Sequence, residues 1–84
     1  MNRLGFIILS ILWNSGATSR LSSMTVREIT SAEEFGLKEN TIFKKIKNFE
    51  QSGYISRGLK EGRANSYYIT PEGCKYLEKE RSKT

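Results

Sequence analysis

Residues 38–57 read KENTIFKKIKNFEQSGYISR. Ile42, Ile46 and Phe49 recur at i, i+4 and i+7, with Phe43 beside them, the spacing of one apolar stripe on an α-helix. With Ile46 at the centre of the stripe, a turn of about 100° per residue places Asn40, Thr41, Lys44 and Asn48 on the opposite side, flanked by Lys45 and Lys47. Ser52-Gly53 stops the helix, because Gly takes the left-handed conformation that commonly ends one. Tyr54-Ile55-Ser56-Arg57 then alternates and reads as a strand. A helix over about 38–52 is expected, anchored on one side and polar and basic on the other.

Working outward towards the C-terminus, Gly58 to Asn65 (GLKEGRAN) is turn-rich and basic. Ser66 to Thr70 (SYYIT) is a second strand, with Tyr67 and Ile69 on one face and Tyr68 on the other. The two strands predict a hairpin over about 54–70. Thr70-Pro71-Glu72 supplies an N-cap, a proline at the first helical position and an acid in the first turn. A last helix over about 71–81 follows, with Cys74, Tyr76 and Leu77 available to pack. Gly73 inside it predicts a close approach by a neighbouring element.

Towards the N-terminus, Thr25-Val26-Arg27-Glu28 is a capping box: the Thr hydroxyl accepts from the amide three residues on, and Glu28 reaches back. A helix starts at Val26, turns Val26, Ile29 and Ala32 or Phe35 inward, and ends before Gly36. Asn14 to Ser23 (NSGATSRLSS) reads as a loop, and Ser22 to Met24 as a short strand.

Leu4 to Trp13 (LGFIILSILW) has two readings. Ser15-Gly16-Ala17 offers small residues where a signal peptide would be cleaved. The stretch is too short to span a bilayer, which takes about 20 apolar residues, and losing it would leave little to pack. A buried first helix is preferred, with Leu4, Ile7, Ile8, Ile11 and Leu12 on one face and Phe6, Leu9 and Trp13 on a second. A helix apolar all round needs cover on both sides. The domain core is expected on one and a second copy of the protein on the other, so Phe6, Leu9 and Trp13 are the candidate dimer interface.

Composition narrows the function classes. The 84 residues make one domain, 1–84, too small for a deep pocket. There is no histidine, which removes the usual general base at neutral pH and every Ser-His or Cys-His pair. One cysteine allows no intramolecular disulfide and no cysteine metal cluster. Cys74 is read as a small core residue. Gly58 and Gly62 are not followed by the Gly-Lys-Ser/Thr of a phosphate loop, and Glu33, Glu34, Glu78 and Glu80 surround no evident pocket. No catalytic residue, metal or cofactor is expected, and the chain is not read as an enzyme. The net charge is +5, and it is not evenly spread. Lys38 to Arg63 holds seven bases and three acids, whereas the other 58 residues hold seven and six. A polyanionic partner should therefore meet the central helix and hairpin.

The order of elements is helix, short strand, helix, helix, strand, wing, strand, helix: an α+β fold, mostly α with a small β hairpin. It resembles a winged helix-turn-helix domain, with local similarity to MarR-type and PadR-type bacterial regulators. The resemblance covers about residues 24–78. It rests on Gly36-Leu37, Asn40-Thr41-Ile42, Phe49-Glu50 with Gly53-Tyr54-Ile55, and Tyr67 with Ile69-Thr70-Pro71-Glu72-Gly73. The sequence departs from that pattern in two respects. Ile29 is followed by Thr30 rather than Ala, and Gly36 lies seven rather than five residues after Ile29, so this helix or its turn is about two residues longer. The chain also lacks the long helices with which full MarR and PadR regulators dimerise or sense ligands, so no small-molecule effector is expected.

The resemblance implies a double-stranded DNA partner read by the 38–52 helix. The major groove, about 12 Å wide, admits one helix. Asn40, Thr41 and Lys44 lie in the first two turns, the part that reaches base edges. Asn pairs with adenine, Lys with guanine, and a Thr methyl touches a thymine methyl. Lys45, Lys47 and Asn48 suit flanking phosphates. Lys60 and Arg63 at the hairpin tip suit the minor groove or its phosphates. Tyr68 has two readings of equal weight, a phosphate contact or cross-strand packing. Arg27 either touches the DNA backbone or is simply exposed. Phe43 is read as packing. The expected function is a sequence-specific transcriptional regulator, a repressor acting as a homodimer in the cytoplasm at the nucleoid. The alternatives are a winged-helix protein-interaction module, or a plasmid or phage replication or partition protein.

Overall fold

The order of elements follows from strong local signals at their ends. In the computed structural model, which describes residues 2–34 and 36–83, helix α1 spans Arg3–Asn14 and a single 3-10 turn spans Arg20–Ser22. Strand β1 (Met24–Thr25) leads into α2 (Val26–Ala32) and α3 (Glu39–Gln51). The strands β2 (Ile55–Glu61) and β3 (Ala64–Ile69) precede α4 (Pro71–Ser82). The fold is α+β: four helices and one antiparallel sheet of order β1-β3-β2.

The starts of α1, α2 and α4 each satisfy an amide that would otherwise lack a partner, whereas α3 begins after Lys38 with no side-chain cap. Asn2 Oδ1 accepts from the Gly5 amide at 2.8 Å. The capping box closes as read: Thr25 Oγ1 accepts from the Glu28 amide at 3.1 Å, and Glu28 Oε1 from the Thr25 amide at 3.0 Å. Thr70 Oγ1 accepts from the Gly73 amide at 3.0 Å and donates to the Gly53 carbonyl at 2.6 Å, so one hydroxyl joins the end of α3 to the start of α4.

The core gathers Ile8, Leu9 and Leu12 of α1, Ile29 of α2, Ile42, Ile46 and Phe49 of α3, Ile55, Tyr67 and Ile69 of the hairpin, and Leu77 of α4. Beside it, the Tyr54 and Tyr76 rings stack at 4.4 Å between centroids, and Phe49 meets Tyr54 edge-on at 5.7 Å. Each of the four helices and both long strands therefore contribute to one hydrophobic centre, which holds α3 with its polar side outward.

Four expectations are corrected. The inner face of α1 is Gly5, Ile8, Leu9 and Leu12, not the stripe beginning at Leu4; Leu4, Ile7 and Ile11 are half-buried at its edges. Leu9 is fully enclosed in the chain's own core, so it is not at an interface with a second copy. The short strand is Met24–Thr25, and the preceding loop contains the 3-10 turn. The hairpin keeps the expected bounds, but its strands are longer and its turn shorter than expected. β2 runs on to Glu61, and only Gly62 and Arg63 turn between the paired residues Glu61 and Ala64. The turn-like composition of Gly58-Leu59 reflects an irregularity in pairing instead: between Arg57 opposite Tyr67 and Lys60 opposite Asn65 the register shifts, as in a β-bulge. The Leu59 amide there donates to Ser23 Oγ at 3.2 Å.

The two extra residues relative to the helix-turn-helix pattern lie in the turn. α2 ends at Ala32, and the connection 33–38 is held by the Leu37 amide donating to Glu33 Oε1 at 2.8 Å. Phe35, offered as an inward residue, lies outside the described residues.

Gly73 confirms the close approach. A Cβ at this position would overlap the Tyr54 carbonyl oxygen and lie 2.7 Å from Ile69 Cγ1. The Tyr54 carbonyl already accepts from the Thr70 amide at 3.0 Å, so it is not free to retreat. Gly73→Ala is expected to destabilise the domain by about 1–3 kcal/mol, despite the better helix propensity of Ala. Urea unfolding measures this; an alanine variant as stable as the parent would show that α4 does not seat on Tyr54.

Candidate nucleic-acid interface

Helix α3 is positioned by three side chains. Ile42, Ile46 and Phe49 are buried, which turns Asn40, Thr41, Lys44 and Asn48 to solvent. All four were read as the outward face from spacing alone, and all four are exposed.

The exposed residues divide between two grooves. On the wing side, Asn40 and Phe43 share a groove of about 570 Å³ with Arg27 at the start of α2 and with Arg63 and Asn65 of the hairpin. Glu39 and Glu61 also line it, so its formal charges balance. On the other side, Thr41, Lys44, Lys45 and Asn48 line a groove of about 440 Å³ with Leu4 of α1. The first two turns of α3 thus have a mixed polar and aromatic flank facing the wing and a basic flank facing α1.

The basic side chains are not equivalent. Lys47 Nζ lies 3.0 Å from Glu50 Oε1, and Arg57 Nε lies 2.9 Å from Glu50 Oε2. One carboxylate thus ties down two cations. Lys45 Nζ sits 4.7 Å from the Phe49 ring centroid, where the ring face attracts its charge, and this residue is half-buried. Lys44, Lys60, Arg63 and Arg27 are exposed and form no ion pair among the described residues. Lys60 and Arg63 stand at the end of the hairpin, with Arg63 in its two-residue turn.

Tyr68 does not join this group. It lies on the opposite sheet face from Tyr67, half-buried against the core, and lines neither groove. Cross-strand packing, one of its two readings, accounts for that position. Phe43 departs the other way: read as packing, it is 43% exposed. Its place about 60° from the centre of the apolar stripe is where spacing alone could not decide between core and surface. Asn65 went unremarked in the sequence and enters the groove through its register opposite Lys60.

Cys74 is half-buried in α4. Burial pushes its thiol up from the ordinary cysteine range, and the nearby Glu78 carboxylate adds to the effect. A reactive thiol needs the opposite shift, so the environment is that of a packing residue.

No known protein family's model matches the chain. Single relatives do. The DNA-binding protein TubR of Clostridium botulinum C phage is 28% identical over 78 residues, 93% of this chain and 94% of the relative. The solution structure of the DNA-binding TubR fragment from Clostridium botulinum superposes with a TM-score of 0.74 at 29% identity, covering 94% of this chain and 95% of the other. TubR from Bacillus megaterium pBM400 superposes with a TM-score of 0.79 at 17% identity, covering 93% and 83%. These similarities support the winged-helix part of the expected resemblance; a specific kinship with MarR-type or PadR-type regulators is not among them. The chain has the winged-helix fold, and over nearly its whole length it is similar to DNA-binding proteins named TubR.

Proposed function

We propose that this chain is a sequence-specific double-stranded DNA-binding protein of the TubR kind. The observation that carries the reading is the exposed face of α3. Asn40, Thr41 and Lys44 stand clear of the core in the part of the helix that meets base edges, with Asn48 exposed beyond them, and Arg27, Lys60 and Arg63, which form no ion pair among the described residues, flank it on α2 and the wing. Similarity to proteins described as DNA-binding supports it independently. A role in plasmid or phage partition fits at least as well as transcriptional repression, because the relatives come from a phage and from pBM400.

The reading includes a homodimer. Phe6 and Trp13 are 37% and 46% exposed on α1. Phe6, Ile7 and Ile11 border a groove of about 370 Å³ between α1 and the end of α2. Two copies joined there would present two recognition helices to a two-fold symmetric site, with half-sites about one helical turn apart.

Selection from a pool of random duplexes, followed by fluorescence anisotropy on the enriched sequence, tests the function. A symmetric motif bound in the nanomolar to micromolar range is expected. Affinity weaker than about millimolar at low salt, below even ordinary non-specific binding, would overturn the reading. Light scattering at micromolar concentration tests the dimer, for which a mass of 9.6 kDa would be the contrary result.

A further inference from the structure

We infer that Phe43 is a base-reading residue that, together with Asn40, selects a step containing adenine and thymine by pressing its ring on a thymine 5-methyl group. The inference rests on the proposed DNA-binding function and names what the wing side of α3 reads.

Phe43 lies one helical turn after Asn40, so their side chains are neighbours on the same flank of α3. Both line the groove towards the wing. Phe43 is 43% exposed there and joins none of the ring contacts that link Phe49, Tyr54 and Tyr76. A lone exposed Phe is unremarkable on a protein surface. This one lies in a concave wall, in the first two turns of a helix whose outer face is otherwise polar.

The surrounding charge indicates which part of a duplex fits the wall. Arg27 and Arg63 are balanced by Glu39 and Glu61, so the groove as a whole carries no net formal charge, although each arginine can still meet a single phosphate. Lys44 and Lys60, which form no ion pair among the described residues, lie outside it and are free to meet phosphates. A neutral wall that combines an amide with an apolar ring complements base edges instead. Asn pairs in two places with adenine N6 and N7, and Phe makes an apolar contact with the thymine methyl. Both features are displayed in the major groove, where the methyl offers an apolar surface that marks thymine.

The test uses the duplex selected above. Each thymine in turn is replaced by deoxyuridine, which removes only the 5-methyl group, and affinity is measured by anisotropy. The native protein is expected to weaken about four-fold at one thymine in each half-site, the factor set by one buried methyl. Phe43→Ala should bind the thymine duplex more weakly than the native protein and be indifferent to deoxyuridine at that position. Phe43→Leu should keep part of the discrimination. Circular dichroism checks that both variants fold, as exposure of the ring leads one to expect.

The inference falls if the native protein binds the duplex equally well with every thymine replaced, or if Phe43→Ala stays sensitive at the same position. It also falls if Phe43→Ala lowers the mass of the protein in light scattering, which would place the ring against a second copy. Failure of the native protein to bind any duplex would appear at the selection step. That outcome removes the DNA-binding reading itself, and the inference with it.

Discussion

A tenfold rise in monovalent salt is expected to weaken DNA binding by about 4,000-fold for each protomer in contact. Each phosphate neutralised releases counterions, so log affinity falls against log salt with a slope of about 0.9 per phosphate. Arg27, Lys44, Lys60 and Arg63 are the exposed proposed contacts without an ion-pair partner among the described residues. Four such contacts give a slope of about 3.6. The ion pairs predict an ordering that total charge does not. Lys44→Ala should flatten the slope by about 0.9. Lys47→Ala should change it far less, because Glu50 already holds that ammonium at 3.0 Å. Glu50→Gln should steepen it, since it releases both Lys47 and Arg57. Anisotropy titrations at four or five salt concentrations decide the matter. A slope below about 1 in the native protein would remove these cations from the interface, and equal effects of Lys44→Ala and Lys47→Ala would show that the Glu50 pairs do not persist in solution.

The same ion pairs show where the sequence was legible and where it was not. Element starts were readable because each depends on contacts within four residues. The Thr25–Glu28 box and the Thr70-Pro71 start are local chemistry, and both helices begin at the residue they indicate. The outward face of α3 was readable for a similar reason: three apolar residues at helical spacing leave only one way to turn. The face of α1 was not readable. Almost every residue from Leu4 to Trp13 is apolar, so periodicity offers no contrast, and what the sheet and α4 cover determines which side is inside. Leu9 was misplaced for that reason. The spacing gives the bounds of the hairpin but strands that are too short, because Gly58, Lys60 and Glu61 have the composition of a turn. Lys60 and Glu61 pair with Asn65 and Ala64 across the tight turn, while the Leu59 amide is met by the hydroxyl of Ser23, 36 residues away, which no local pattern announces. Glu50 holding Arg57 is likewise a contact between elements. No count of charges along the chain distinguishes Lys47, which it neutralises, from Lys44, which it does not reach.

Ile46→Ala is expected to cost the domain about 2–5 kcal/mol, the range for truncating a fully buried Ile. Ile46 is completely enclosed at the middle of α3 and has core neighbours from the same helix on either side, Ile42 and Phe49. The loss of transfer energy and the cavity left behind both count, since a packed core relaxes only in part. For a domain of this size each kcal/mol lowers the melting temperature by about 4–8 °C. A fall of at least about 8 °C should therefore be seen by calorimetry or circular dichroism. Small domains are stable by only about 5–15 kcal/mol, so the loss is a large share of the total. Ile46→Val removes one methylene and should cost about 0.5–1.5 kcal/mol. The pair separates anchoring from reading. Ile46→Val leaves every exposed residue of α3 in place, so its DNA affinity at low temperature should match that of the native protein while its melting temperature falls. Lys44→Ala should do the reverse, losing affinity at an unchanged melting temperature. If Ile46→Ala melted within about 5 °C of the native protein, α3 would not be held through its apolar stripe, and the outward placement of Asn40, Thr41, Lys44 and Asn48 would lose its physical basis.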